Sequence, residues 1–193
     1  MTAQPKHAWT VEAYLAFERE SERKHEYFSG EIFAMAGASV AHNIITANIV
    51  ASLHRHVLNR PCTVFPSDMR LKVVRYNLYT YPDVMVICGD IQYDEPHQDV
   101  VLNPIILIEV LSPSTENYDR GKKAQYYRTI PSLREYLLVA QDSQHIEHFT
   151  RHAEHQWLFS DLTSDDATIQ LATLDCTVGM AEIYHKVPWP PKA

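Results

Sequence analysis

The sequence predicts a fold of the α/β (α+β) class, with a single domain over residues 1–193. Three observations predict it: a hairpin signature near the N-terminus, one long amphipathic helix, and a series of short apolar segments after that helix. Of the 193 residues, 46% are hydrophobic and 21% are charged, which is sufficient for one buried core. We expect the core to span about 10–187 and residues 188–193 to form an unstructured tail.

A helix and a hairpin open the chain. Thr10 is a suitable N-cap for a helix that runs to about Arg19, and Glu12 lies in the first turn, where the helix dipole favours an acid. The segment EYFSGEIFAMAG then contains two strand-like runs on either side of Ser29-Gly30. We predict a β-hairpin that turns at this dipeptide.

The strongest helix signal follows the hairpin. Apolar residues recur at every fourth position, and two more widen the stripe: Ile45, Ile49, Leu53 and Val57, with Ile44 and Val50. This spacing predicts an amphipathic helix over Val40–Leu58, and Pro61 marks its end.

Short apolar segments predict the strands. The candidates are Cys62–Phe65, Asp68–Val74, Tyr81–Cys88, Ile105–Leu111 and Glu135–Val139, with weaker outer strands at Ile146–Phe149, Trp157–Phe159 and Thr168–Leu171. The polar segment Gly89–Asn103 is expected to be a solvated loop. One helix should run from about Asp119 to just before Ile130-Pro131, and a short helix should lie near Val178–Tyr184.

Composition excludes several classes of function. A formal net charge of -7 argues against a protein that holds nucleic acid by a broad basic surface, so any such contact must be local. With five glycines and no glycine-rich phosphate loop, the sequence gives no support to a nucleotide-cofactor fold. The N-terminus lacks an apolar signal core, and no apolar run is long enough to span a bilayer, so we expect a cytoplasmic protein without a membrane partner.

The cysteines are odd in number and widely spaced. Cys62, Cys88 and Cys176 form no C-x-x-C pair. This pattern favours reduced, structural thiols over a disulfide framework or a zinc knuckle.

Two acids interrupt apolar strands. Asp83 begins the run YPDVMVIC, and Glu109 divides the run NPIILIEVLS. A buried ionised carboxylate costs several kcal/mol unless a cation, a donor or water lies beside it. Glu109 points to the same strand face as Leu107 and Leu111, and pairing of the two strands would bring Asp83 close to it.

Two adjacent carboxylates repel unless one is protonated or a divalent ion lies between them, and an all-oxygen site favours Mg²⁺ or Mn²⁺. The alternative is structural: Asp83 caps a turn after Pro82, and Glu109 forms an ion pair with a lysine or arginine.

At these residues the sequence resembles the Uma2 family of the PD-(D/E)XK restriction endonuclease-like superfamily. The resemblance covers roughly residues 10–187. It depends on SGEIFAMAGAS followed by His42, on FPSDMRL, on YPDVMVIC and on IEVLSPSTENYDRGKKAQYYRTIPSLREYLLV. It implies a restriction-endonuclease-like core in which a mixed central β-sheet is flanked by helices. In such a core Asp83 and Glu109 are metal ligands, and the carbonyl of Val110 is a third.

The chain departs from the superfamily pattern at Leu111, which stands where the lysine of the E-x-K motif is expected. The resemblance implies that a lysine from the following helix replaces it. Lys123 is the candidate, with Lys122 next, because Asp119, Lys123 and Tyr126 or Tyr127 would share one helical side. A solvent-facing lysine is the alternative.

Other residues are candidates for metal or phosphate contacts. Glu31 follows the hairpin turn and is a possible further metal ligand. His42 can donate to a phosphate near a helix N-terminus, or can be a cap or packing residue. Arg70 and Lys72 share a strand face suited to phosphate contacts. Asp68 can orient one of them, join the acids, or be a plain turn residue.

Two further groups have a structural alternative. Four histidines at short spacings, His145, His148, His152 and His155, suggest zinc, but strand and turn geometry would not make them converge. Three tyrosines near Arg75, namely Tyr76, Tyr79 and Tyr81, can stack on bases, but packing on the sheet is the simpler interpretation.

Two functions from different classes follow. The first is a Mg²⁺- or Mn²⁺-dependent endonuclease with Asp83, Glu109 and Lys123 as catalytic residues, acting on nucleic acid, DNA in preference to RNA. The second is a catalytically inactive descendant of the fold that serves as a binding or assembly module, which the missing lysine at Leu111 suggests. A homodimer is expected only by family analogy.

Overall fold

Two six-stranded sheets organise the computed structural model, which describes residues 8–164 and 167–189. The first sheet contains β1 (His25–Phe28), β2 (Glu31–Ala34), β4 (Arg70–Val73), β5 (Leu78–Thr80), β7 (Tyr93–Asp94) and β8 (His97–Val101). The second contains β3 (Cys62–Pro66), β6 (Val84–Cys88), β9 (Ile106–Leu111), β10 (Glu135–Ala140), β11 (Ile146–Ala153) and β12 (Gln156–Leu162). A separate pair is formed by β13 (Thr168–Leu171) and β14 (Cys176–Gly179).

The helices are α1 (Val11–Glu20), α2 (Val40–Val57), α3 (Glu116–Tyr118), α4 (Ala124–Tyr127) and α5 (Met180–Ile183). A π-helical turn (Asp119–Lys123) joins α3 to α4. Most strand pairs are antiparallel, but β9 and β10 are parallel, as are β4 and β8, so both sheets are mixed. The predicted α/β (α+β) class is confirmed.

The N-terminal helix and hairpin form as predicted. The Thr10 hydroxyl accepts a hydrogen bond of 3.1 Å from the Ala13 N–H. In the hairpin Phe28 is opposite Glu31, and the two turn residues Ser29 and Gly30 have φ of 47° and 97°. Two consecutive residues in the left-handed region are typical of the type I′ turn that joins antiparallel strands.

Helix α2 covers one face of the second sheet. Its fourth-residue stripe is buried as predicted, from Ile45 to Val57, against apolar residues of β6, β9 and β10 such as Ile108 and Val139. On the opposite face, Leu107 and Leu138 pack with residues of α4 and of the first sheet. The second sheet is therefore the central layer.

Residues 89–103 are not the solvated loop that their polarity predicted. They contain β7 and β8, and Val100 and Val101 are fully buried. β8 lies in parallel beside β4, with Arg70 opposite Val100. The segment is buried because it pairs with a strand about thirty positions earlier in the sequence. The acids within the segment favoured a loop and gave no indication of this pairing.

The prediction of three reduced cysteines is wrong for two of them. Cys62 and Cys88 are directly opposite each other in the antiparallel pair β3 and β6, and they form a disulfide. Cys176 is free and buried. The pairing depends on strand register across 26 residues, which cysteine spacing alone does not predict.

This disulfide should stabilise the fold. Cys62→Ser is expected to lower the free energy of unfolding by about 3 kcal/mol, because the disulfide closes a loop of moderate length in the unfolded chain. Urea unfolding followed by fluorescence measures the change. Cys176→Ser is the control: it keeps the disulfide, so its midpoint should fall on reduction as that of the natural chain does, whereas the midpoint of Cys62→Ser should not respond to a reductant. If reduction leaves the midpoint of the natural chain unchanged, the disulfide contributes nothing to stability.

At the C-terminal end, α5 forms within the predicted helical region, and the part of the predicted tail beyond Trp189 lies outside the described residues. Trp189 itself packs on Tyr184, with ring centroids 5.4 Å apart. Within the described ranges, no helix is both long and apolar enough to cross a membrane.

Candidate metal centre

An open cleft of about 1090 Å³ lies where the hairpin, the N-terminus of α2 and the segment after β9 meet. Carboxylates of Glu26, Asp83, Glu109 and Asp119 line it, together with His42 and Lys123. The remaining lining includes two basic residues, Arg23 and Lys24, the apolar segment 34–38, and the hydroxyl groups of Ser112, Ser114 and Thr115.

Strand register brings the two predicted acids together. Val84 is opposite Ile108 in the antiparallel pair β6 and β9. Extending this register by one residue places Asp83 opposite Glu109, and residues directly opposite each other point to the same face. The Val110 N–H donates to Asp83 Oδ2 at 2.8 Å, which anchors Asp83 to the neighbouring strand.

Each acid makes its polar contacts through one oxygen. Asp83 Oδ2 accepts from the Val110 N–H and lies 3.1 Å from His42 Nε2. Glu109 Oε1 accepts from the Tyr127 hydroxyl at 2.7 Å and lies 2.9 Å from Lys123 Nζ. Among the described residues, no hydrogen bond is made to Asp83 Oδ1 or Glu109 Oε2. These two oxygens are therefore the ones available to a cation.

Lys123 reaches the acids as predicted, and it does so from the π-helical turn. Its side chain is only 6% exposed, and its ammonium lies 3.4 Å from both Asp119 Oδ1 and Glu26 Oε1. The wider turn holds Asp119, Lys123 and Tyr127 on one side, and π-helical turns of this kind often occur at functional sites. The alternative of a solvent-facing lysine is excluded for this arrangement.

The buried acids outnumber the buried cations. Burial raises the pKa of Glu109 to about 8; the Lys123 ammonium opposes this rise, and the nearby Asp83 and Asp119 add to it. Burial also raises the pKa of Asp119, again against Lys123. For Lys123, burial lowers the pKa, but Glu109, Tyr127 and Glu26 outweigh it and keep the ammonium charged. The excess negative charge favours a further cation at this site.

The donor set fits a hard divalent ion in part. Two carboxylates on adjacent strands, each with an available oxygen, are ligands that Mg²⁺ and Mn²⁺ prefer. Over residues 8–164 and 167–189, however, no three or more His, Cys, Asp or Glu side chains are grouped as a ready metal site. The Lys123 ammonium lies among Glu109, Asp119 and Glu26.

The hairpin acid that reaches the cleft is Glu26, not Glu31. Glu31 is exposed on the edge strand β2 and is not among the described residues that line the cleft, so it is not placed to bind metal with Asp83. Glu26 belongs to β1 and is opposite Phe33 rather than Glu31. The local sequence HEYF gives no signal for this position, which depends on how the first sheet packs over the second.

Two predicted phosphate contacts have other partners. Arg70 is buried, where its Nε donates to the Tyr81 hydroxyl at 2.9 Å and its Nη1 lies 3.1 Å from Asp99. Lys72 Nζ lies 2.7 Å from Asp94. Both residues stabilise the first sheet, and neither lines the cleft as described. The shared strand face was predicted correctly, but acids of the supposed loop 89–103 occupy it.

Three other candidates have settled positions. His42 lies in the first turn of α2, where its ring contacts Asp83. Its backbone N–H donates to Oγ of Ser39, the N-cap residue, at 3.0 Å. Lys122 is exposed and does not line the described cleft. Asp68 is an exposed turn acid that forms an ion pair with Lys24.

The tyrosine and histidine groups do not form additional sites. Tyr79 and Tyr81 are buried, and Tyr76 packs on Tyr126 with ring centroids 4.4 Å apart. Three of the four histidines have separate partners: His148 with Glu135 at 2.7 Å, His145 with Asp161 at 2.5 Å and His155 with Glu154 at 3.9 Å.

Comparison with known proteins identifies the family of this chain. The sequence model of Uma2, described as "Putative restriction endonuclease", matches residues 11–181. The uncharacterized protein sll1609 of Synechocystis sp. is 39% identical over 84% of this chain and 92% of its own length. The uncharacterized Synechocystis protein slr1290 is 34% identical over 90% of each chain.

A solved structure shares the fold. A crystal structure from Anabaena variabilis, described as a "putative nuclease belonging to DUF820", superimposes with a TM-score of 0.75. It covers 91% of this chain and 97% of its own, at 18% sequence identity.

Proposed function

This chain belongs to the Uma2 family, and we propose that it is a Mg²⁺- or Mn²⁺-dependent endonuclease that hydrolyses phosphodiester bonds in nucleic acid. The observation that carries the proposal is the opposition of Asp83 and Glu109 on β6 and β9, with the Lys123 ammonium 2.9 Å from Glu109. The family and the shared fold support a nuclease; the metal, the catalytic residues and the preference for DNA belong to the proposal.

Each residue of the site has a role in the proposed reaction. Asp83 and Glu109 would hold the ion through Oδ1 and Oε2, with the Val110 carbonyl as a further ligand. When bound, Mg²⁺ supplies Lewis acidity at the phosphate and lowers the pKa of a bound water. Lys123 offsets negative charge that develops on the phosphate, and His42 orients Asp83 through Oδ2.

Lys123 takes the place of the lysine missing at Leu111. Leu111 is buried among apolar residues and has no polar group to offer. Glu109 and Leu111 are two residues apart on β9, so their side chains are on the same face of the sheet. Lys123, in the π-helical turn, contacts Glu109 on that face. The proposal therefore does not require the E-x-K spacing.

A nuclease assay tests the proposal. Purified protein is incubated with single- and double-stranded DNA and RNA, with Mg²⁺, Mn²⁺ or a chelator. Cleavage that the chelator abolishes supports an endonuclease. Nucleic-acid binding without cleavage under all of these conditions would instead support a binding module, the alternative that Leu111 suggests.

Metal affinity should depend on pH through Glu109. Both donors to Glu109 end on Oε1, so a proton taken up by this acid belongs on Oε2, where it competes with a metal ion. With a pKa of about 8, the Mn²⁺ affinity should fall about tenfold for each pH unit below 8. Calorimetry from pH 6 to 9 measures this, and Glu109→Gln should abolish the dependence.

The stability of the metal-free protein should depend on pH in the opposite direction to the Mn²⁺ affinity. Because the pKa of Glu109 is raised from 4.5, its contribution to stability is full below about 4.5 and is lost as the pH rises through about 8. An affinity for Mn²⁺ that does not change over this range would contradict Glu109 as a ligand.

A further inference from the structure

Lys123 has as many buried acidic partners as it has N–H donors. An ammonium group offers three donors, and the acceptors around it are Glu109 at 2.9 Å and Asp119 and Glu26 at 3.4 Å each. In this arrangement three carboxylates surround the ammonium. A substrate phosphate can approach Lys123 closely only if one of these negative groups moves away or is neutralised.

Glu26 differs from the other two partners in its origin. It lies on β1 in the first sheet, whereas Glu109 lies on β9 in the second sheet, and Asp119 precedes Lys123 by four residues in the π-helical turn. The buried Thr80 hydroxyl donates to Glu26 Oε1, the same oxygen that contacts Lys123. The Glu26 side chain is only 14% exposed, so its carboxylate is held from both sides.

We infer that Glu26 is a positioning residue: with Asp119, it holds the Lys123 ammonium at the cleft floor when a divalent ion takes Glu109 as its ligand. This inference rests on the proposed function. It assigns Glu26 to the lysine and not to the metal.

Charge explains why one acid would not be sufficient. Binding of a divalent ion to Glu109 weakens the attraction of that carboxylate for Lys123 and adds repulsion between two cations. Asp119 pulls the ammonium toward its own helical turn. Glu26 pulls from the opposite sheet, so the two together keep Lys123 between the sheets, with one donor released toward the cleft.

A double-mutant cycle on stability tests the Glu26–Lys123 contact without requiring activity. Glu26→Gln, Lys123→Met and the double variant are unfolded in urea without metal. Each single variant should increase the unfolding equilibrium constant by some factor. The factor for the double variant should be about tenfold smaller than the product of the two single factors. The same cycle with Glu31→Gln, an acid of the same hairpin, should show coupling within about twofold.

Metal binding and kinetics distinguish a positioning residue from a ligand. For Glu26→Gln we expect the Mn²⁺ dissociation constant to stay within about threefold of the natural chain, while kcat falls tenfold or more and KM changes little. Adding Glu26→Gln to Lys123→Met should lower kcat no further.

Thr80→Val provides a second variant if Glu26→Gln does not fold, because it removes the donor to Glu26 and leaves all charges in place. Like Glu26→Gln, Thr80→Val should lower kcat and leave the Mn²⁺ affinity unchanged. Absence of coupling in the stability cycle overturns the inference, as does a loss of Mn²⁺ affinity of tenfold or more in Glu26→Gln. Failure of the natural chain to bind Mn²⁺ overturns the inference and the metal site together. Binding and coupling without cleavage would overturn only the nuclease.

Discussion

Glu109→Gln is expected to lower the rate of metal-dependent cleavage by about a thousandfold, and Asp83→Asn by a similar factor. Both exchanges preserve the shape of the side chain and remove a negative charge from an all-oxygen site. Glu109→Gln also removes a buried charge, so the variant should fold at least as stably as the natural chain without metal. Single-turnover cleavage of labelled DNA measures the rate.

Glu31→Gln is the matched control for these exchanges, because Glu31 is an acid outside the described cleft lining. Its cleavage rate should remain within about twofold of the natural chain, as is usual for an exposed position away from the site. If all three variants cleave equally well, the activity belongs to a contaminant or to another site, and Asp83 and Glu109 have a structural role.

Lys123→Met should destabilise the metal-free protein by about 3 to 5 kcal/mol, because the buried acids around it lose their common counter-ion. Lys123 is 5% exposed, and Glu109 and Asp119 are 3% exposed, so water cannot readily replace it. Urea unfolding at pH 8 measures the loss. Mn²⁺ should raise the stability of this variant more than that of the natural chain, since the ion supplies the missing positive charge.

Lys122→Met is the control for this exchange, because it removes the adjacent lysine, which is exposed. Its free energy of unfolding should change by less than about 0.5 kcal/mol. Equal effects at the two positions would mean that Lys123 is not the counter-ion of the acids.

Local sequence patterns were sufficient where one segment alone determines the outcome. The stripe from Ile45 to Val57 has helical periodicity, and it predicts α2 almost to its last residue. Glu109 was found because a single acid within an apolar run needs a partner, and all six residues of β9 are buried. The family resemblance then directed attention to Lys123 on the following helix.

Features that depend on pairing between distant segments were missed. β8 is buried only because β4 lies beside it. The disulfide requires Cys62 and Cys88 to be opposite each other across β3 and β6. Glu26 became a site residue because the first sheet packs over the second. In each case the deciding interaction is a tertiary contact that local composition does not encode.

The π-helical turn also constrains how this family can vary. A lysine on a strand can move by two residues and keep its face, whereas a helical lysine keeps its direction only if the helical phase is preserved. A π-helical turn accommodates one residue more than an α-helical turn, so deleting one residue between Asp119 and Lys123 would convert the turn to α-helix and leave the flanking residues on the same side. Relatives that lack this extra residue should therefore carry the acid three residues before the lysine and not four.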